Sequence, residues 1–127
     1  MTLSSLLGAV MSILQAHPLC QGTAEVETKE FSPQQFLFKI RVVLNSDHHF
    51  QVRIYYNHGH VDYAYQLFTD RPILRWDNKE EFPHLSSYPH HFHDQYGAVR
   101  ISPLTGEPMD DCRTVLGLLT DFLQDNI

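Results

Sequence analysis

Tyr88-Pro89-His90-His91-Phe92-His93 puts three histidines within four positions, directly after a proline and an aromatic residue. The segment follows Arg75-Trp76-Asp77-Asn78 by about ten residues. Histidine changes protonation near neutral pH, and neutral imidazole is also a common metal ligand. Packing alone does not call for three of them in so short a stretch. Two chemistries are therefore open, proton transfer and metal ligation.

For proton transfer the candidate catalytic residues are His90, His91 and His93, with Arg75, Asp77 and Tyr65. A positioned histidine typically contributes roughly 10²–10⁴-fold to such a step, because its pKa lies near working pH. Arg53, Tyr55 and Tyr63 are the candidate substrate-binding residues: with Trp76 in the core, alternation sets Arg53 and Tyr55 beside Arg75 and Asp77, and Tyr63 joins them if Ala64 and Phe68 point inward. Arginines hold a phosphate, and a metal-independent ribonuclease needs little beyond an acid, a base and such a clamp. The plain alternatives are a cross-strand ion pair for Arg75 and Asp77, and core packing with a satisfied hydroxyl for the tyrosines. Which face Tyr63 and Tyr65 take stays open, because both sides of their strand are semi-apolar.

For metal ligation, His91 and His93 share a side of an extended segment, with His84, His90 or Asp94 as a third ligand. Zinc accepts such ligands, yet the spacing matches no standard zinc pattern. The expectation is no cofactor, with zinc as the alternative. His17, His48, His49, His58 and His60 fall at a helix end or in turns and are given no role.

The elements that would position these residues are legible from periodicity. Leu3, Leu6, Leu7, Val10, Ile13 and Leu14 form one stripe of an amphipathic helix, capped near Thr2, Ser4 or Ser5 and stopped by Pro18. Ala24 to Phe31 reads as a first strand. Period-2 runs follow at 36–45, 50–56, 61–69 and 73–77, separated by the short turns Asn45–His48, Asn57–His60 and Asp70–Pro72. Strands joined by loops this short are antiparallel, a meander. Residues 78–97 carry no period, and irregular stretches of that length in a small domain are usually functional. Val99 and Ile101 suit a short edge strand. Asp110 or Asp111 caps a final helix with the stripe Val115, Leu118, Leu119, Phe122 and Leu123. The expected fold is α+β: an N-terminal helix, a five- or six-stranded antiparallel meander and a C-terminal helix, with both helices on one face of a two-layer sandwich.

The 127 residues suit a single domain over 1–127, and 43% apolar with 12% aromatic residues suits a packed core. No apolar run approaches the roughly 20 residues of a membrane helix. The N-terminus lacks a positive region and reads as part of the fold, so a cytoplasmic protein without membrane contact is expected. Cys20 and Cys112 lack CxxC spacing and read as ordinary thiols. The net charge of −6 opposes non-specific nucleic-acid binding. It is uneven. Lys29, Lys39, Arg41, Arg53, Arg71 and Arg75 outnumber Glu30, Asp47, Asp62 and Asp70 over residues 28–76, a net of +2. Residues 107–125 carry five acids against Arg113, a net of −4, and suit a basic partner.

Tyr63-Ala64-Tyr65-Gln66, Ile73-Leu74-Arg75-Trp76-Asp77-Asn78 and Tyr88-Pro89-His90-His91-Phe92-His93 occur in this order over residues 61–93. They resemble the TumE family of small bacterial toxin–antitoxin proteins, and the helix–meander–helix layout extends the likeness over most of the chain. The resemblance implies a toxin held by a cognate antitoxin, expected to be a helix-turn-helix protein, and an action on RNA or translation. A homodimer is left open. Family members usually carry Ala-Pro-His-His after Arg-Trp-Asp-Asn, where this chain has Lys79-Glu80-Glu81-Phe82. Any role of those two histidines is absent here, or moved to Glu81 or His84. The alternatives to a ribonuclease are a binding module for an anionic ligand or partner protein, and a histidine-rich metal-binding domain.

Overall fold

Thr2 starts the first helix with a reciprocal pair of hydrogen bonds. In the computed structural model, which describes residues 1–125 apart from the side chain of Ser46, the Thr2 hydroxyl accepts the Ser5 N–H at 3.1 Å. The Ser5 hydroxyl in turn accepts the Thr2 N–H at 3.0 Å. Such a cap is worth about 1 kcal/mol. Helix α1 (Leu3–Ala16) buries Leu6, Val10 and Leu14, the stripe its spacing predicts.

Seven strands follow: β1 (Cys20–Ser32), β2 (Gln35–Leu44), β3 (His49–Asn57), β4 (His60–Phe68), β5 (Pro72–Asp77), β6 (His91–His93) and β7 (Val99–Ile101). They form one antiparallel sheet whose spatial order is the chain order. The hairpin between β3 and β4 turns on His58 (φ 49) and Gly59 (φ 90). Two positive φ values in a two-residue loop match the twist of the flanking strands. Helix α2 (Pro108–Asp125) follows β7 and packs beside α1 over the sheet.

The expected α+β layout holds, with corrections. The strand count is seven among the described residues, where five or six were expected. The added strand is β6, formed by the histidine segment inside the stretch expected to be irregular, and β7 pairs on its outer edge. β1 begins at Cys20, earlier than Ala24. Glu107, not Asp110 or Asp111, caps α2: its carboxylate accepts the Asp110 N–H at 2.7 Å. The α2 stripe runs through Cys112, Val115, Leu116 and Leu119, leaving Leu118 exposed. Cys112 sets that phase, because residues three and four positions on from it share its face.

The core lies between helices and sheet. Phe36, Phe38, Ile40, Val42 and Leu44 of β2 line it with Phe50, Val52, Ile54 and Tyr56 of β3. The register of β4 resolves the open question of its faces. Tyr63 pairs with Ile54, and Tyr65 with Val52 and Trp76, so both tyrosines point toward the helices. That choice buries two aromatic rings and Leu67 on the helix side and puts Asp62, Ala64, Gln66 and Phe68 on the open face, where Ala64 is itself covered. Phe68 is compensated there by stacking on His49 and by Arg41 over its ring.

Candidate functional site

Two rows of paired residues cross the sheet's open face. One runs Arg53, Ala64, Asp77 and His91 over β3 to β6. The next runs Gln51, Gln66, Arg75 and His93. Paired residues of an antiparallel sheet project to the same side. Arg75, Asp77, His91 and His93 are thereby gathered on one patch.

Asp77 is the centre of that patch. Its carboxylate is buried, with a side chain 8% exposed. A buried charge is tolerated only with partners. Oδ2 accepts the Arg75 Nε–H at 2.8 Å, and Oδ1 accepts the Lys79 backbone N–H at 3.0 Å. His91 Nε2 stands 2.9 Å from Oδ1, and His93 Nε2 3.7 Å from Oδ2. The first distance is that of an ion pair, but the carboxylate lies off the ring's N–H direction and Nε2 makes no hydrogen bond among the described residues. We therefore read it as proximity without an aligned bond. The other ring nitrogen of His91, Nδ1, lies 3.1 Å from the Pro89 carbonyl oxygen. His91 is wholly buried, whereas the His93 side chain is one-third exposed. Partial burial holds the His93 imidazole below its usual pKa of 6.5, against the opposing pull of Asp77.

A pocket of about 340 Å³ opens beside this patch. Arg53, Arg75, Asp77 and Lys79 line it, together with Asp62 and Glu80. Ala64 stands between Arg53 and Asp77 in the row, and its small side chain leaves the space.

The other sequence candidates lie elsewhere. Tyr63, Tyr65 and His90 are on the helix side. Tyr63 Oη and His90 Nδ1 are hydrogen-bonded at 2.7 Å, and burial holds the His90 imidazole below its usual pKa. Tyr65 is fully buried, and its hydroxyl has no hydrogen-bond partner among the described residues. Burial raises the pKa of both tyrosines, so both stay protonated. Tyr55 is on the open side, where its hydroxyl accepts from Gln35 Nε2 at 2.6 Å. Neither histidine nor aspartate named as an outlying metal ligand joins the patch. His84 sits edge-on to Phe82, with ring centroids 6.4 Å apart, and is not among the grouped ligands, while Asp94 is used by the β6–β7 loop, accepting the N–H groups of Tyr96 and Ala98 and Arg100 Nε.

A family model described as Toxin TumE matches residues 11–127. The chain belongs to the TumE toxin family. Membership points to the toxin component of a toxin–antitoxin system and implies an antitoxin partner in general. No curated protein and no solved structure matches the chain significantly.

Within this TumE chain the sequence reading missed Asn78 as a positioning residue. Its Oδ1 accepts the Tyr63 N–H at 3.0 Å and its Nδ2 donates to the Val61 carbonyl at 2.8 Å. The side chain thus carries the β4–β5 pairing one residue past Asp77 and fixes where that carboxylate sits. An asparagine just after a strand was the available signal. Phe82 was missed as well. It occupies one of the two positions where the TumE resemblance leads one to expect histidine. Its ring lies edge-on to His91, with centroids 4.7 Å apart, and to His93 at 6.1 Å. No described helix is long and apolar enough to cross a membrane.

Proposed function

We propose that this toxin acts on RNA, cleaving its phosphodiester backbone at the Arg75–Asp77–His91–His93 patch. The observation that carries this reading is the meeting of one carboxylate and two imidazoles beside a pocket lined by Arg53, Arg75 and Lys79. Guanidinium groups bind phosphate oxygens through paired hydrogen bonds. Arg53 and Arg75 hold the phosphate, and the Asp77–His91–His93 group activates the attacking oxygen. Tyr65 and His90 support the sheet from behind. The antitoxin is a basic helix-turn-helix protein that meets the exposed acids Asp110, Asp121 and Asp125 of α2. Asp111 takes no part, because it is buried and accepts the Thr105 and Gly106 N–H groups.

The test is purified full-length protein incubated with end-labelled single-stranded RNA, beside growth assays on expression without antitoxin. Cleavage by the native chain, lost in Arg75→Ala and His93→Ala, is expected. Intact RNA in the presence of clear growth arrest would assign the toxicity to another target.

A further inference from the structure

We infer that Asp77, His91 and His93 form a binding site for one divalent transition-metal ion of the zinc type. This departs from the metal-free protein expected from the sequence, where Asp77 was not counted among the ligands.

Each of the three side chains offers a ligand atom, and these atoms all lie within 4.8 Å of one another. Two ligand atoms about 2.0–2.1 Å from one ion are roughly 2.9 Å apart at a right angle and about 3.4 Å apart at the tetrahedral angle. The His91 Nε2 to Asp77 Oδ1 distance is 2.9 Å. His93 is the outlier, 3.7 Å from Oδ2, with its side chain one-third exposed.

The orphaned nitrogen of His91 is the second, independent observation. A carbonyl oxygen only accepts, so the Pro89 contact places a proton on Nδ1. Nε2 of the wholly buried ring then lies 2.9 Å from the carboxylate but off its line, with no hydrogen-bond partner among the described residues. Two acceptors this close repel unless they share a cation, and an ion held by both lies to one side of the line between them, where the misaligned lone pair of Nε2 can reach it. Metal-bound histidines characteristically donate their other N–H to a backbone carbonyl in this way. Asp77 has the matching support, from Arg75 and the Lys79 N–H.

Two imidazoles and one carboxylate select zinc, iron, cobalt or manganese over magnesium and calcium, which prefer oxygen ligands. Three protein ligands leave at least one position for water, and the bound ion would acidify that water or polarise a phosphoryl oxygen. Only this use in phosphodiester chemistry rests on the ribonuclease reading above.

The test is calorimetric titration of chelator-treated full-length protein with Zn²⁺, repeated with Co²⁺ to read its visible absorption. One equivalent should bind, with affinity lowered at least tenfold in Asp77→Asn and His93→Ala and unchanged in His84→Ala. Thermal melts establish that each variant is folded, and the shape-conserving Asp77→Asn guards against loss of fold in the other. Absence of saturable binding, or equal affinity in folded Asp77→Asn and His93→Ala, would overturn the assignment. No RNA is present in the titration. A failed titration therefore leaves the ribonuclease reading standing, and intact RNA leaves the metal site standing.

Discussion

Trp76 and Asp77 are consecutive in the chain and face opposite sides of the sheet. Trp76 is buried and stacks on Phe92, with ring centroids 4.8 Å apart. Asp77 turns to the open face and meets His91. The same alternation runs through the histidine segment, where His90 and Phe92 go with the core and His91 and His93 with the patch. A motif continuous in sequence is thus divided by the sheet, and neighbouring positions should respond differently to substitution.

His91→Ala should lower stability, and His93→Ala should leave it nearly unchanged. The first removes a fully buried ring and one of the groups around the buried Asp77. It also takes away the Nδ1–H that the Pro89 carbonyl accepts, and losing a buried hydrogen-bond partner costs about 1–3 kcal/mol. The second trims a part-exposed ring, where about 0.5 kcal/mol or less is usual. Thermal melts of both variants decide this. Equal melting temperatures would show that the burial of His91 contributes little.

Asn78→Ala should cost about 1–3 kcal/mol, since it leaves the Tyr63 N–H and the Val61 carbonyl without the partner they have now. The damage should be local, at the β4–β5 end that holds Asp77. Urea unfolding gives the size of the effect. Amide exchange gives its place: faster exchange at Tyr63 is expected, and unchanged protection there would argue against a positioning role.

Phe82→His should strengthen zinc binding by roughly tenfold, because a nitrogen ligand would replace the ring now set edge-on to His91 and His93. Calorimetry on the native and substituted chains reads the change directly. A folded Phe82→His protein with unchanged affinity would mean that position 82 does not reach the ion.

Cys112 should resist alkylation in the native protein. Burial pushes its thiol up to about 12, and Cys20 is pushed up to about 11 for the same reason. The reactive species is the thiolate, so a raised pKa leaves only a trace of it at pH 8. Titration with a thiol reagent should label Cys112 only after denaturation. Fast labelling under native conditions would show that α2 opens readily.

Association with the antitoxin should weaken as salt rises, because Asp110, Asp121 and Asp125 are exposed on one helix. Opposite charges speed encounter, and salt screens them. Association rates measured at several ionic strengths test the point. A flat dependence would move the interface away from α2.

Period-2 alternation in Phe36–Leu44 and Phe50–Tyr56 by itself determined two strands and the side each buries. The stripe Leu6, Val10 and Leu14 did the same for α1, because a helix or strand with one apolar face can satisfy it in only one orientation. The clustering of His91 and His93 was also legible, from their i, i+2 spacing. What the tertiary structure alone decided was which residues meet them. β4 presents apolar groups on both sides, so only its pairing with Val52, Ile54 and Trp76 turned Tyr63 and Tyr65 inward and left Ala64 outside. The histidine segment is three residues of strand, too short for a period to register, and it becomes β6 only because β5 offers it an edge. That long-range pairing brings Asp77 beside residues fourteen and sixteen positions away. Local propensity carries no information about such a distance.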